Sequence, residues 1–466
     1  MRLPMESGRL TMNLAALIAC TMSPVIASAA ELSDAELETL VERSWPYVAM
    51  YNVNNKGATR YGGWNVIDID TELKDHSLKL IARPNNDSLY ITCMLDLRDE
   101  PIVLDMPAFD SKYVSLMITG YDHYVNIPMS TRQGDFRRTS KMLVFTERTK
   151  GYDQGDRVDG VDRYFEATGD FVSAVFRVMP HASEPARFER IKAQMKATKL
   201  LTLSELQGRE PKPRSSVDFP SVGEKDSDVF ATNLLEVMQF VFNHTSFDPD
   251  DELDLEVQAI FVPLGVEPGR PYDPERVAKL DGARVRAVAE RVEAREMAKA
   301  DRLARSTGLF KPKGEIEADL LLFQSVFGPI GQPAEEAVYP AIVTTDGQPM
   351  NALHDYVIRL APDEMPPAEA FWSLTLYDSA NGFFIPNDRK KYSVGENAGM
   401  EPNDDGGIEV YVAARKPKGV PKENWLPLKR GDYGIDVILR LYVPDLEKFE
   451  TWTAPKAQKL GGRGAK

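Results

Sequence analysis

The sequence predicts a mainly β protein with an α-helical middle segment, an α+β chain of two antiparallel β-sandwich or jelly-roll-like domains. Three observations carry that prediction. Apolar residues alternate with period two on both sides of a central stretch whose period is 3.6. Prolines and glycines, 32 and 31 of them, punctuate the alternating runs as turns do. A length of 466 residues, 43% of them apolar, suffices for two or three separate cores.

In chain order, residues 1–29 read as a secretory signal peptide. Arg2 and Arg9 precede an apolar centre at Leu14–Ala19, and Ala27-Ser28-Ala29 supplies a small-x-small cleavage pattern before the polar Glu31-Leu32-Ser33-Asp34. Leu17-Ile18-Ala19-Cys20 offers the alternative of a lipobox, with Cys20 as a lipid anchor. Either version places the mature chain in the periplasm or outside the cell. No later run has the 18 or so uninterrupted apolar residues of a transmembrane helix.

Residues 30–182 form the N-terminal β domain. A short helix at Leu37, Leu40 and Val41 leads into strands: Leu89, Ile91, Cys93 and Leu95 point one way and Tyr90, Thr92 and Met94 the other. Ile102–Leu104, Tyr113–Tyr121, Lys141–Thr146 and Val172–Met179 read likewise. Residues 183–335 form the helical segment, in which Phe230, Leu234, Val237 and Val241 line one face. Asp273-Pro274-Glu275 predicts the start of a long charged helix to about Arg305, with Arg286 and Glu290 paired at i,i+4. That helix reads as a solvated face packed on a neighbour.

Residues 336–466 form the C-terminal β domain, with strands at Ala341–Thr345, Tyr356–Leu360, Phe371–Tyr377, Ile408–Ala413 and Ile435–Val443. In the last, Ile435, Val437, Leu439, Leu441 and Val443 share a face opposite Asp436, Ile438, Arg440 and Tyr442. A weak internal echo joins the two β domains: Tyr113-Val114-Ser115-Leu116 and Phe371-Trp372-Ser373-Leu374 both set an aromatic before Ser-Leu.

Composition narrows the chemistry. A net charge of −15 disfavours nucleic acid as a partner. Two cysteines exclude a disulfide-stapled scaffold and a Cys-rich zinc module. Zinc-helix, phosphate-loop and nucleophile-elbow signatures are absent, and the five histidines stand far apart. The densest polar cluster is Arg83-Pro84-Asn85-Asn86-Asp87-Ser88-Leu89-Tyr90. It is either a turn satisfying its own backbone or a fixed Arg and Asp at a sandwich mouth. Asp122 beside His123 ends another strand, where sequence neighbours point to opposite faces and so do not make a dyad. Arg440 is either a buried ion-pair partner or a ligand clamp. Asn403-Asp404-Asp405-Gly406-Gly407 has oxygens for a divalent cation, against the plainer reading of a hairpin loop. No other cofactor is implied.

These motifs resemble the bacterial family that joins domain of unknown function 1254 to domain of unknown function 1214. Arg83–Tyr90, Leu95-Asp96-Leu97 and Lys112–Leu116 resemble the first. Phe371–Asp378, Tyr392-Ser393-Val394-Gly395, Asn424-Trp425-Leu426-Pro427 and Leu439–Pro444 resemble the second. Leu428–Tyr433 departs from the family's Ala-Pro-x-Gly continuation. The resemblance implies two β-rich domains with helical additions in exported proteins and supplies no catalytic residues. It adds weight to Arg83, Asn85, Asp87, Asn387, Asn424 and Arg440, polar where a purely structural motif would be apolar.

The function expected is a hydrolase-like or lyase-like enzyme acting on a small or anionic substrate at the mouth between the β domains. Arg83, Asp87 and Asp122 are its candidate catalytic residues, and Arg440, Asn85, Tyr90, Asn387 and Asn424 its candidate ligand contacts. The alternative is a non-catalytic ligand-binding or envelope-assembly protein, and a third reading makes the polar motifs turns and buried ion pairs. The charged helical segment leaves room for a homodimer.

Overall fold

The computed structural model describes residues 32–79, 82–299, 307–328 and 330–461. The expected signal peptide, its cleavage site and Cys20 lie outside the described residues.

The N-terminal strands are β1 (Val66–Asp70), β2 (Leu89–Asp96), β3 (Ile102–Met106), β4 (Val114–Thr119), β5 (Val125–Ser130), β6 (Ser140–Phe145), β7 (Arg163–Glu166), β8 (Phe171–Val178) and β9 (Lys199–Thr202). They pair as two sheets, β1-β2-β8-β4-β5 and β7-β6-β3-β9, antiparallel except for β6 with β7. The alternation of β2 is realised: Leu89, Ile91, Cys93 and Leu95 enter a core shared with Ile102, Leu104, Met142 and Val144 of the second sheet, which makes a sandwich.

The C-terminal strands are β10 (Ala337–Val338), β11 (Tyr356–Leu360), β12 (Ala368–Asp378), β13 (Ser393–Gly395), β14 (Ile408–Ala413), β15 (Trp425–Pro427), β16 (Ile435–Pro444) and β17 (Ala457–Lys459). They pair as β10-β16-β12-β13 and β15-β14-β11-β17, antiparallel except for β14 with β15. Ile435, Val437, Leu439 and Leu441 face Ile358, Val410 and Val412 in the core between these sheets. Val443 leaves the alternation. At φ 52° its backbone is left-handed, unusual for a β-branched residue, and its side chain joins Tyr442 at the seam between the sandwiches.

The helices are α1 (Asp34–Tyr61), α2 (Pro185–Ala197), α3 (Leu203–Leu206), α4 (Asp226–Thr232), α5 (Leu234–His244), α6 (Glu252–Phe261), α7 (Gly282–Met297), α8 (Ala318–Phe327) and α9 (Leu446–Thr451). Residues of α1, α4, α5, α6, α7 and α8 form one apolar cluster that also takes Met94, Tyr121 and Phe171 from the outer face of the first sheet. Among the described residues, no helix is long and apolar enough to cross a membrane.

Three elements differ from the sequence reading. The first helix is 28 residues long, because its middle is buried on every side rather than along one stripe. Asn52 donates to Asp226 at 2.7 Å and Asn55 to the Tyr121 hydroxyl at 3.0 Å, so polar side chains hide the apolar period. The charged helix starts at Gly282, not near Pro274, with Asp281 as its cap. Residues 273–280 are instead tied to the end of α6, where the Ala278 amide donates to the Leu264 carbonyl at 2.9 Å. Arg286 pairs with Asp228 of α4 at 2.8 Å rather than with Glu290. Ala341–Thr345 makes isolated bridges at Ala341 and Thr344 instead of a strand.

Candidate functional site

The two sandwiches meet where Tyr113 and Met179, flanking β4 and β8, pack on Ala337, Ala370, Phe371, Tyr442 and Val443, while Met117 and Val175 farther along those strands pack on Leu309, Phe310 and Phe323. The seam is aromatic: Phe371 and Tyr442 stack with centroids 4.1 Å apart, and Tyr113 closes on both at 6.1 and 5.2 Å. Behind these rings, registered strands set one polar row on each side. Tyr90, Arg177 and Ser115 stand opposite one another across β2-β8-β4. Ser373 stands opposite Arg440 across β12-β16, and the pairing of Ala337 with Tyr442, Val338 with Leu441 and Ala341 with Ile438 puts Tyr339 opposite Arg440.

An acid enters each row from the other sandwich. Asp87, three residues before Tyr90, accepts a hydrogen bond from the Ser373 hydroxyl. Glu336, three residues before Tyr339, accepts from the Tyr113 hydroxyl at 3.1 Å and from Ser130 at 2.8 Å. Both carboxyls are 0% exposed. They differ in partners, because Arg132 donates to Glu336 at 2.9 Å, whereas Asp87 makes no ion pair among the described residues. Burial lifts the Asp87 carboxyl above the usual carboxylate range against the pull of the nearby Arg440 charge and the Ser373 hydroxyl.

Arg440, 4% exposed, donates through Nη2 to the Tyr377 hydroxyl at 2.6 Å and the Arg83 carbonyl at 3.2 Å. Its Nη1, the Oδ1 of Asp87 and the hydroxyl of Thr375 are buried without hydrogen-bond partners. Three unmatched polar atoms thus surround one acid and one guanidinium, where buried polar groups are ordinarily paired. Arg177, 6% exposed, has no carboxylate in ion-pair range among the described residues; Tyr90, Tyr339, Tyr113 and Tyr442 supply the polar groups nearest its charge. Tyr90, whose ring lies 6.0 Å from the Arg177 guanidinium, and Tyr339 are only partly buried and mark the way to solvent.

The structure therefore brings Asp87, Arg440, Asn85 and Tyr90 together. Asn85 donates to the Tyr442 hydroxyl at 2.6 Å and accepts from the Asp87 amide at 2.6 Å, fixing the acid's loop. Arg83 takes a different part from the one its sequence suggests. Its guanidinium lies outside on Asp436 at 3.0 Å, and it is its left-handed backbone, φ 51°, that offers a carbonyl to Arg440. Asp122 is not at this site. The turn after β4 carries it to the far end of that strand from Ser115, where Lys313, Thr168 and Asp254 are its neighbours. His123 bonds Ser325 at 2.6 Å. Asn387 closes its own loop on the Lys391 carbonyl at 2.9 Å, and Asn424 clamps both backbone groups of Glu401. The Asn403–Gly407 loop is a turn closed by its own backbone, with Asp405 accepting from the Gly407 amide at 2.8 Å. Among the described residues, no three His, Cys, Asp or Glu side chains are grouped to hold a metal ion. At a surface groove lined by Asp96, Asp99, Glu100 and Lys212, Asp96 pairs with Arg98, Asp99 with Lys150, and Glu100 accepts from the Lys212 amide.

The residues the sequence reading missed are Arg177, Tyr339 and Glu336. The signal available was a repeat: Asp87-Ser88-Leu89-Tyr90 against Glu336-Ala337-Val338-Tyr339.

Comparison with known proteins agrees with this plan. The model for domain of unknown function 1254 matches residues 64–199, and that for domain of unknown function 1214 matches residues 335–446. The chain belongs to the family that joins these two domains. The first domain of this DUF1254–DUF1214 protein holds Asp87 and Arg177, the second Glu336 and Arg440. A crystal structure of a Vibrio parahaemolyticus protein is similar with a TM-score of 0.70 and 21% identity, covering 91% of this chain and 100% of that one, which shows a shared fold. An uncharacterized Burkholderia cenocepacia protein aligns with a TM-score of 0.41 and 12% identity over 91% of this chain and 94% of its own. A search among curated proteins finds no match.

Proposed function

We propose that the seam between the two sandwiches is a binding chamber for a small anionic molecule, held by Arg177 and Arg440. One observation carries the reading: Arg177 is a buried guanidinium with no carboxylate beside it. Burying an unpaired charge costs several kcal/mol, so an anionic guest at this spot repays a cost the fold otherwise bears alone. In the finer form of the proposal the protein is a hydrolase-like or lyase-like enzyme in which Asp87, its carboxyl raised by burial, donates a proton to the bound molecule. The non-catalytic reading is favoured by the histidines: His76, His123, His181 and His244 have polar partners outside the chamber, and His354 lies against Tyr356. The amino-terminal sequence supports placing this activity in the periplasm.

The test is thermal unfolding of the full chain at constant ionic strength with chloride replaced by acetate or inorganic phosphate. A ligand present at about 100 times its Kd stabilises by about 2.7 kcal/mol. The midpoint is expected to rise in the wild type and stay flat in Arg177→Gln and Arg177→Lys. A folded Arg177→Gln that keeps the full response removes Arg177 from the site.

A further inference from the structure

The chamber is built from two copies of one pattern. In each sandwich an acid-x-x-Tyr segment, Asp87 to Tyr90 or Glu336 to Tyr339, leads into the strand beside the arginine strand. An aromatic-x-Ser segment, Tyr113 to Ser115 or Phe371 to Ser373, sits on the other side of it. Arg177 and Arg440 occupy the same register position in their sheets, each opposite a serine and a tyrosine. The exchange of acids across the seam is reciprocal, since Asp87 reaches Ser373 of β12 and Glu336 reaches Tyr113 and Ser130 around β4 and β5. Tyr339 feels both guanidiniums, and the stacked Phe371 and Tyr442 with the ring of Tyr113 lie at the same seam.

The copies are unequal in charge. Glu336 is neutralised by Arg132, which leaves Arg177 uncompensated. Among the described residues Asp87 makes no ion pair with Arg440, whose Nη1 has no hydrogen-bond partner there. The chamber therefore presents two guanidiniums, one per half, separated by apolar ring faces. A guest with one single negative charge at each end balances them; two doubly charged phosphates would overbalance them by two. A carboxylate's two oxygens also match what a half-site offers, a guanidinium and a tyrosine hydroxyl. Resting on the anion-binding reading above, we propose that the chamber takes a linear dicarboxylate, one carboxylate on Arg177 and Tyr90 and the other on Arg440 and Tyr339, with the carbon chain lying along Phe371 and Tyr442.

The experiment is unfolding of the full chain in a homologous series, acetate and butyrate against malonate, succinate, glutarate and adipate, at one ionic strength and pH. Expected is an optimum chain length whose half-saturating concentration is at least tenfold below that of either monocarboxylate. Arg177→Gln and Arg440→Lys should each raise that concentration to the monocarboxylate value and erase the length optimum. Mono- and dicarboxylates acting at equal concentrations, with both lost in Arg177→Gln, would overturn the dicarboxylate while leaving a single-anion site standing. No response to any member of the series overturns both readings.

Discussion

Replacing Arg440 with methionine should destabilise the protein by about 3 kcal/mol at neutral pH, toward the lower end of what breaking a buried charge pair costs. The structure gives the parts of that figure. The guanidinium donates to the Tyr377 hydroxyl and the Arg83 carbonyl, and it is the positive charge acting on the buried Asp87. Tyr377 keeps its bond to the Pro84 carbonyl at 2.6 Å, so the carbonyl of Arg83 and the carboxyl of Asp87 bear the loss. An orphaned buried acceptor costs about 1–3 kcal/mol, and the rest is the charge. A cycle with Asp87→Asn separates the two. That variant removes the charge but keeps a group able to accept from Ser373, so it should cost about 1 kcal/mol. The double variant should lose at least 1 kcal/mol less than the sum, since the second change removes the charge the first one stranded. Acid offers a second check. Burial raises the Asp87 carboxyl and the loss of the Arg440 charge raises it further, so lowering the pH from 7 to 4 should shrink the Arg440→Met penalty by protonating the stranded carboxyl. Urea unfolding followed by circular dichroism and tryptophan fluorescence reads all three variants. Costs that add within about 0.5 kcal/mol at both pH values would refute the coupling of Asp87 to Arg440.

Two further outcomes follow from groups outside the chamber's charges. Burial raises the Asp122 carboxyl above 3.8 in spite of Lys313, with Asp254, Tyr124 and Tyr47 completing its surroundings. A folded state that holds a proton more tightly than the unfolded one loses stability as pH rises through that window, by about 1.4 kcal/mol for each tenfold difference in proton affinity. Asp122→Asn should therefore match the wild type near pH 3.5 and unfold at a higher midpoint at pH 8; a lower midpoint at pH 8 contradicts the argument. Gly395 leaves no space for a side chain, since an added Cβ would stand 2.4 Å from the Trp372 carbonyl oxygen and 2.9 Å from the Ser373 Cα. Gly395→Ala should cost about 1–3 kcal/mol by pushing β13 off β12, and should weaken anion stabilisation through the displaced Ser373. Loss of stability with an unchanged anion response would uncouple Ser373 from the site.

Where one face of an element meets water or a different layer, its period survives in the sequence. The strands Leu89–Asp96, Tyr356–Leu360 and Ile408–Ala413 are readable for that reason, since each alternates between a core and something else. The first helix is unreadable past Val41 because every side of it is covered, and the asparagines it buries interrupt any apolar count. β13, β15 and β17 are three residues each, too short to show a period at all. The displaced start of the charged helix has another cause. Asp273-Pro274 has the chemistry of a cap, but the chain there is held by Leu264, a contact made by residues distant in sequence.

The candidate site shows the same division more sharply. Asp87 and Arg440 stand out in sequence because each is a charged residue in a setting that calls for apolar ones. Arg177 is in the same situation, between Phe176 and Val178, yet it reads as the polar face of a half-buried strand. The second sandwich, through Tyr339 and Tyr442, and the helical segment, through Leu309, Phe310 and Phe323 on the same face, turn a surface arginine into a buried one. Its role follows from a contact between domains, which no single-strand period encodes. The repeat does encode it, once one knows where to look: a chain that places acid-x-x-Tyr, aromatic-x-Ser and an arginine strand in each half, and packs the halves through those faces, must bury two guanidiniums together. Two buried like charges are unfavourable by themselves. At these matched register positions Arg132 pairs with Glu336 and, among the described residues, no ion pair joins Asp87 to Arg440, and these are the observations from which the binding chamber is proposed.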